Sequence, residues 1–150
     1  SRLQKQQKCR LIIRGEGEHR DHLDKLIKER NIQDGVDMPG FVGNPFAYIA
    51  RSDIFVLSSR WEGFGNVIVE AMACGTPVVS TDCPSGPAEI LQNGKYGPLV
   101  PIGDCDSLVN AIKKNLEDPI SELELKRRAN DFTVSDIAEQ YLDILLNTDK

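Results

Sequence analysis

The chain has 150 residues, 40% of them hydrophobic and 27% charged, with a formal net charge of -5. That size and composition read as one ordinary soluble domain over residues 1–150, large enough for a real core but short for a two-domain enzyme. The acidic balance gives no electrostatic footprint for nucleic acid or an anionic membrane surface. No apolar run approaches the roughly eighteen residues that a membrane span requires, and the polar start Ser1-Arg2-Leu3-Gln4-Lys5 does not read as a signal peptide, so a cytoplasmic location is expected.

Short apolar runs alternate with helical patterns along the chain. Arg10-Leu11-Ile12-Ile13 predicts a strand and Glu18 to Arg30 a helix; Val36-Asp37-Met38 then leads as a second strand into Pro39-Gly40-Phe41. A short helix around Pro45 to Ala50 precedes the strand Asp53-Ile54-Phe55-Val56-Leu57. A helix bounded by Asn66 and Gly75 follows, then the strand Pro77-Val78-Val79-Ser80-Thr81, a short helix from Gly86 to Leu91, and the brief strand Gly97-Pro98-Leu99-Val100. Beyond Gly103 come three helical segments, Asp106 to Leu116, Ser121 to Asn130 and Val134 to Leu146. In the last of these Val134, Ile137, Ala138, Tyr141, Leu142 and Leu145 recur at helical spacing and predict an apolar face packed on a core. Short, fully apolar strands separated by helices mean an α/β fold with a doubly wound parallel sheet covered on both faces. Such folds bind ligands beyond the carboxyl ends of the strands, which puts the loop from Ser58 to Asn66, directly after Leu57, where a site belongs.

That loop and helix carry the strongest signal. Within Glu62-Gly63-Phe64-Gly65-Asn66-Val67-Ile68-Val69-Glu70-Ala71-Met72-Ala73-Cys74-Gly75, two glutamates stand with seven residues between them. Asn66 is a good helix N-cap and Gly75 a good C-terminal stop, so Glu62 falls on the loop and Glu70 one turn inside the helix. The other helical positions are apolar, so the helix reads as buried all round, where an unpaired carboxylate would cost about several kcal/mol. Glu70 therefore requires a partner, either a buried Arg or a ligand. It stands one position too late for a capping box, which would use Val69. Gly63 and Gly65 let a ligand approach the backbone, the first N–H groups of the helix attract phosphate oxygens, and a carboxylate one turn inside suits a vicinal diol such as ribose. A nucleotide sugar has both parts.

Other constellations are weaker. Cys9, Cys74, Cys83 and Cys105 have no Cys-x-x-Cys spacing, so neither zinc nor redox chemistry is expected. His19 and His22 beside Glu18 and Asp21 have the spacing of metal ligands but more simply form a solvated helix face. Gly15-Glu16-Gly17 lacks the third glycine of a dinucleotide fingerprint, with Arg20 in its place, and reads as a strand-to-helix turn from which Arg14 and Arg20 are within reach of a phosphate.

The segment Glu62-Gly63-Phe64-Gly65-Asn66-Val67-Ile68-Val69-Glu70-Ala71-Met72-Ala73-Cys74-Gly75-Thr76-Pro77-Val78-Val79, followed by Asp82-Cys83-Pro84-Ser85-Gly86-Pro87-Ala88-Glu89-Ile90-Leu91 and Gly97-Pro98-Leu99-Val100-Pro101, resembles the carboxyl-terminal domain of retaining glycosyltransferases of the GT-B fold, family four. The resemblance implies a Rossmann-like, donor-binding domain of a glycosyltransferase that builds a polysaccharide or glycolipid. It implies that Glu62 is the catalytic contact to the donor sugar, that the backbone of Gly63, Phe64, Gly65 and Asn66 holds sugar and phosphate oxygens, and that Glu70 binds ribose hydroxyls. It implies no metal and no cofactor beyond the donor, a UDP-linked sugar, with the acceptor held by an amino-terminal domain at the inner membrane face. Relative to that family the chain lacks the domain's first strand and helix; in the order 3-2-1-4-5-6 the missing strand is central, so self-association through the open strand edges is expected. The alternative reading is a catalytically silent nucleotide-sugar-binding or interaction module.

Overall fold

The computed structural model describes residues 2–146. It divides into two compact units, one up to Pro45 and one from Phe46 onward.

The first unit contains β1 (Leu11–Arg14), α1 (Arg20–Glu29), a 3-10 turn (Gln33–Gly35) and β2 (Val36–Gly40). β1 and β2 pair in parallel, Leu11 opposite Val36 and Ile12 opposite Asp37, with an irregularity before Arg14 meets Gly40. Arg10 and Asp37 form an ion pair beside this ladder. The hydrogen bond from Arg10, opposed in part by desolvation, holds the Asp37 carboxyl below its ordinary range. The arginines considered for phosphate are engaged locally: Arg20 donates to Glu16 and to the Met38 carbonyl, and Arg14 to the Val42 carbonyl. His19 and His22 are exposed, as a solvated helix face requires.

The second unit contains α2 (Phe46–Ile49), β3 (Phe55–Leu57), α3 (Asn66–Ala73), β4 (Val78–Thr81), α4 (Pro87–Ile90), β5 (Leu99–Val100), α5 (Cys105–Glu117), α6 (Glu122–Asn130) and α7 (Val134–Leu146). Its sheet is parallel in the order β3-β4-β5. β4, with all four residues buried, is the central strand, as its run of Val78, Val79, Ser80 and Thr81 between two neighbours dictates.

The core of this unit is built on α3. Ile68, Ala71 and Met72 are fully buried against Leu57, Val78, Ile90, Leu91 and Leu125, and each large side chain removed from water contributes about 1.5–3 kcal/mol. Leu125 and Ala129 bring α6 onto α3. Polar groups in this core are paired: Thr76 donates to the Ile49 carbonyl and Asn115 to the Val78 carbonyl. Gly75, at φ +77, ends α3, with its N–H on Met72 and the Thr76 N–H on Ala71 in a Schellman arrangement, as predicted for this glycine.

Two expectations about helices are corrected. α3 is not buried all round: Asn66, Val67 and Ala73 are exposed and Glu70 is half-buried, because only one face and the C-terminal turn meet the sheet and α6. α7 has no buried residue, and Val134, Tyr141, Leu142 and Leu145 are exposed, so the helical periodicity was right while the packing expected from it is not made by the described residues.

Candidate functional site

Two loops that leave the carboxyl ends of adjacent strands build the site. The first runs from Leu57, at the end of β3, to α3; the second runs from Thr81, at the end of β4, to α4. They are locked together at one point, since a Cβ on Gly86 would fall 1.6 Å from the Phe64 carbonyl oxygen. Only glycine allows that approach, and its φ of +72 sits in the region that side chains avoid.

α3 begins differently from the expected N-cap. Asn66 is its first helical residue, and the cap is Gly65 in the left-handed conformation, φ +92 and ψ +43, with no side-chain cap hydrogen bond. The reversal needs a positive φ, where Asn is tolerated but glycine is free. As a result the start of the helix is uncapped. Among the described residues no acceptor meets the backbone N–H groups of Gly63, Phe64, Gly65, Asn66 or Val67. The positive end of the helix dipole lies at this uncapped start, an arrangement that suits an anion.

The two glutamates flank this start. Glu62 is half-buried on the loop and accepts a 2.6 Å hydrogen bond from the Ser59 hydroxyl on Oε1. Glu70 is half-buried one turn inside α3, and among the described residues neither a cation nor a hydrogen-bond donor meets its carboxylate. The buried-arginine alternative for Glu70 is therefore not what the fold contains. Gly63 has open space where a Cβ would stand, and Asn66 is exposed. Phe64 contributes backbone only, because its ring packs edge-on to Phe132 at 5.6 Å between centroids.

Sequence reasoning missed the residues that brace this arrangement. Arg128 of α6, its side chain 10% exposed, donates to the carbonyls of Glu89 and Ile90 at the end of α4, pairs with Asp131, and lies 4.5 Å over the Phe132 ring. One arginine thus caps the helix after the second loop and, through Phe132, backs Phe64 in the first. Its place in a charged helical run gave no signal of this. Thr81, by contrast, ends a predicted strand, and its hydroxyl donates to the Ser59 carbonyl at 2.5 Å. Among the described residues no group of three His, Cys, Asp or Glu side chains is placed to hold a metal ion.

The second unit is a parallel α/β unit whose loop after β3 leads into an uncapped helix start between Glu62 and Glu70. Residues 1–132 match the family described as "Glycosyl transferases group 1", and the chain belongs to that family. It is 38% identical over 141 residues to an N-acetylgalactosamine-N,N'-diacetylbacillosaminyl-diphospho-undecaprenol 4-alpha-N-acetylgalactosaminyltransferase of Campylobacter jejuni, covering 91% of this chain and 39% of that protein. It is 35% identical over 140 residues to the lipopolysaccharide core biosynthesis glycosyltransferase LpsE of Rhizobium meliloti, covering 90% and 41%. Among solved structures it resembles Anabaena HepE in complex with UDP, with a TM-score of 0.77 at 28% identity over 92% of this chain and 41% of that one. The apo form of the outer core galactosyltransferase WaaB superposes with a TM-score of 0.81 at 22% identity, over 91% and 40% of the two chains. The chain spans about two fifths of the length of these relatives. No helix among the described residues is long and apolar enough to cross a membrane.

Proposed function

We propose that these 150 residues form the donor-binding domain of a retaining glycosyltransferase, which takes a sugar from a UDP-linked donor and passes it to a polysaccharide or lipid-linked acceptor. The observation that carries this reading is the uncapped start of α3, with free N–H groups from Gly63 to Val67 between two available carboxylates. The diphosphate accepts from the N–H groups, Glu70 accepts from the ribose hydroxyls, and Glu62 accepts from a hydroxyl of the transferred sugar. Fixed dipoles that meet the charge gathering on the departing diphosphate lower the barrier without any reorganisation during the step. Retention follows when the acceptor hydroxyl attacks the face that the diphosphate leaves. No metal ion takes part in this scheme, and the acceptor belongs to a separate amino-terminal domain at the cytoplasmic face of the membrane. The relatives' names support sugar transfer onto lipid-linked and lipopolysaccharide acceptors, and the UDP bound to HepE supports the nucleotide.

The test separates the two glutamates in the full-length protein. Glu70→Gln should weaken UDP binding, measured by titration calorimetry, by about tenfold to a hundredfold, the value of a hydrogen bond to a charged group. Glu62→Gln should leave UDP affinity intact and lower the release of UDP from a panel of UDP-hexoses and UDP-N-acetylhexosamines by about a hundredfold, since an interaction strengthened in the transition state is lost. Equal defects in both quantities for both variants would mean the roles are wrong. UDP binding without turnover of any donor in the panel would favour a catalytically silent nucleotide-sugar-binding module.

A further inference from the structure

Glu62 is held by a chain of two hydroxyls that begins in the core. Thr81, 4% exposed at the end of β4, has one hydroxyl proton and two carbonyls in range, Ser59 at 2.5 Å and Leu57 at 3.5 Å. The shorter contact takes the proton, because hydrogen bonding weakens steeply with distance. The Ser59 carbonyl is thereby tied to the central strand, and the Ser59 side chain is aimed outward at Glu62. Its hydroxyl donates to Oε1 at 2.6 Å, within the range of about 2.5–2.7 Å for an O–H donor on an ionised carboxylate. Oε2 has no hydrogen-bond partner among the described residues.

We infer that Ser59 and Thr81 are positioning residues for sugar transfer: they consume one oxygen of Glu62 and point the other at the donor sugar. The inference rests on the reading of Glu62 as the sugar contact. A loop glutamate with free torsions would spread Oε2 over several rotamers, each productive one costing entropy when the transition state forms. Fixing Oε1 to a hydroxyl anchored in β4 removes that spread. The arrangement also sets the direction of the hydrogen bond to the ligand. Ser59 has given its only proton, the ionised carboxylate has none, and so Oε2 can only accept, which selects a hydroxyl donor on the sugar.

The experiment uses the full-length protein, UDP release from whichever of UDP-glucose, UDP-galactose, UDP-N-acetylglucosamine and UDP-N-acetylgalactosamine turns over fastest, UDP titration calorimetry and thermal melting. Ser59→Ala should lower kcat by about tenfold or more, as loss of a hydrogen bond to a charged group does, with UDP affinity and melting temperature unchanged. Ser59→Thr, which keeps the hydroxyl, should recover most of the rate. Adding Ser59→Ala to Glu62→Gln should cost no further activity, since the serine acts only through the glutamate. Thr81→Val should reproduce the kcat defect and Thr81→Ser should rescue it, which separates positioning from the stability change that a buried substitution brings. If Ser59→Ala turns over like the parent while Glu62→Gln is impaired, the positioning role is overturned and the Glu62 assignment stands. If Glu62→Gln itself is unimpaired, the assignment falls and the positioning role with it. Additive defects, or a loss of UDP affinity as large as the loss of rate, would also overturn the inference.

Discussion

Substituting Gly86 by alanine is the sharpest test of how the two loops are joined. Gly86 adopts φ +72 and ψ -67, and a Cβ there would lie 1.6, 2.3 and 2.8 Å from the carbonyl oxygen, carbonyl carbon and Cα of Phe64. These are backbone atoms, so no flexible side chain can swing aside. Holding a non-glycine residue in so sparsely populated a conformation costs about 1–3 kcal/mol. Relieving the overlap by shifting backbone in a packed region costs about another 1–3 kcal/mol. Gly86→Ala should therefore lose about 2–6 kcal/mol, a fall of about 5–20 °C in melting temperature for a protein of this size. At a temperature where the variant is still folded, the proposed donor site predicts that UDP affinity falls by about tenfold or more, because retreat of the Phe64 carbonyl would displace the adjacent N–H groups assigned to the phosphate. Gly63→Ala is the control: no heavy atom lies within 4 Å of its Cβ position and its φ is not positive. Its melting temperature should match the parent, as surface substitutions away from such features usually stay within about 0.5 kcal/mol. Thermal melting and calorimetry on both variants decide the matter. A Gly86→Ala protein that melts and binds UDP like the parent would refute the claim that this contact sets the loop.

The remaining predictions concern the first unit and the strand edges. The Arg10 hydrogen bond holds the Asp37 carboxyl below its ordinary range, so the pair's contribution is fully present above the unfolded carboxylate pKa, about 3.9, and is lost as pH falls through the lower folded value. Asp37→Asn should therefore lower the melting temperature slightly at pH 7, and the difference from the parent should shrink as the pH falls below about 4; a difference of the same size throughout would argue against the ion pair. β1 pairs only with β2, and β3 only with β4, among the described residues, while Leu11 and Ile12 are 49% and 39% exposed. Such open edges favour pairing with another chain, so the 150 residues alone should self-associate in sedimentation velocity as concentration rises. A monomer at every concentration, with one cooperative melting transition, would contradict this.

Much of the fold was legible because its signals are local. The short apolar stretches Leu11-Ile12-Ile13, Ile54-Phe55-Val56-Leu57 and Val78-Val79 marked β1, β3 and β4, and Gly75 marked the end of α3, since each depends on neighbours in sequence alone. The order of strand and helix then required parallel pairing, and the loop after Leu57 had to leave the carboxyl edge of the sheet. Glu70 stood out for the same reason: a carboxylate inside an apolar helix is conspicuous without any structure. The tertiary structure decided what depends on distant residues. That Gly65 rather than Asn66 caps α3 goes with its left-handed backbone, φ +92, beside a loop whose Phe64 carbonyl is met by Gly86, twenty-two positions away in the chain. The hold of Thr81 on Ser59 and of Arg128 on the end of α4 arises only when β4 lies beside β3 and α6 packs on α3, and no spacing encodes it. Periodicity likewise revealed the apolar face of α7 but not its surroundings, because a helical pattern records which side chains share a face and not what lies against that face.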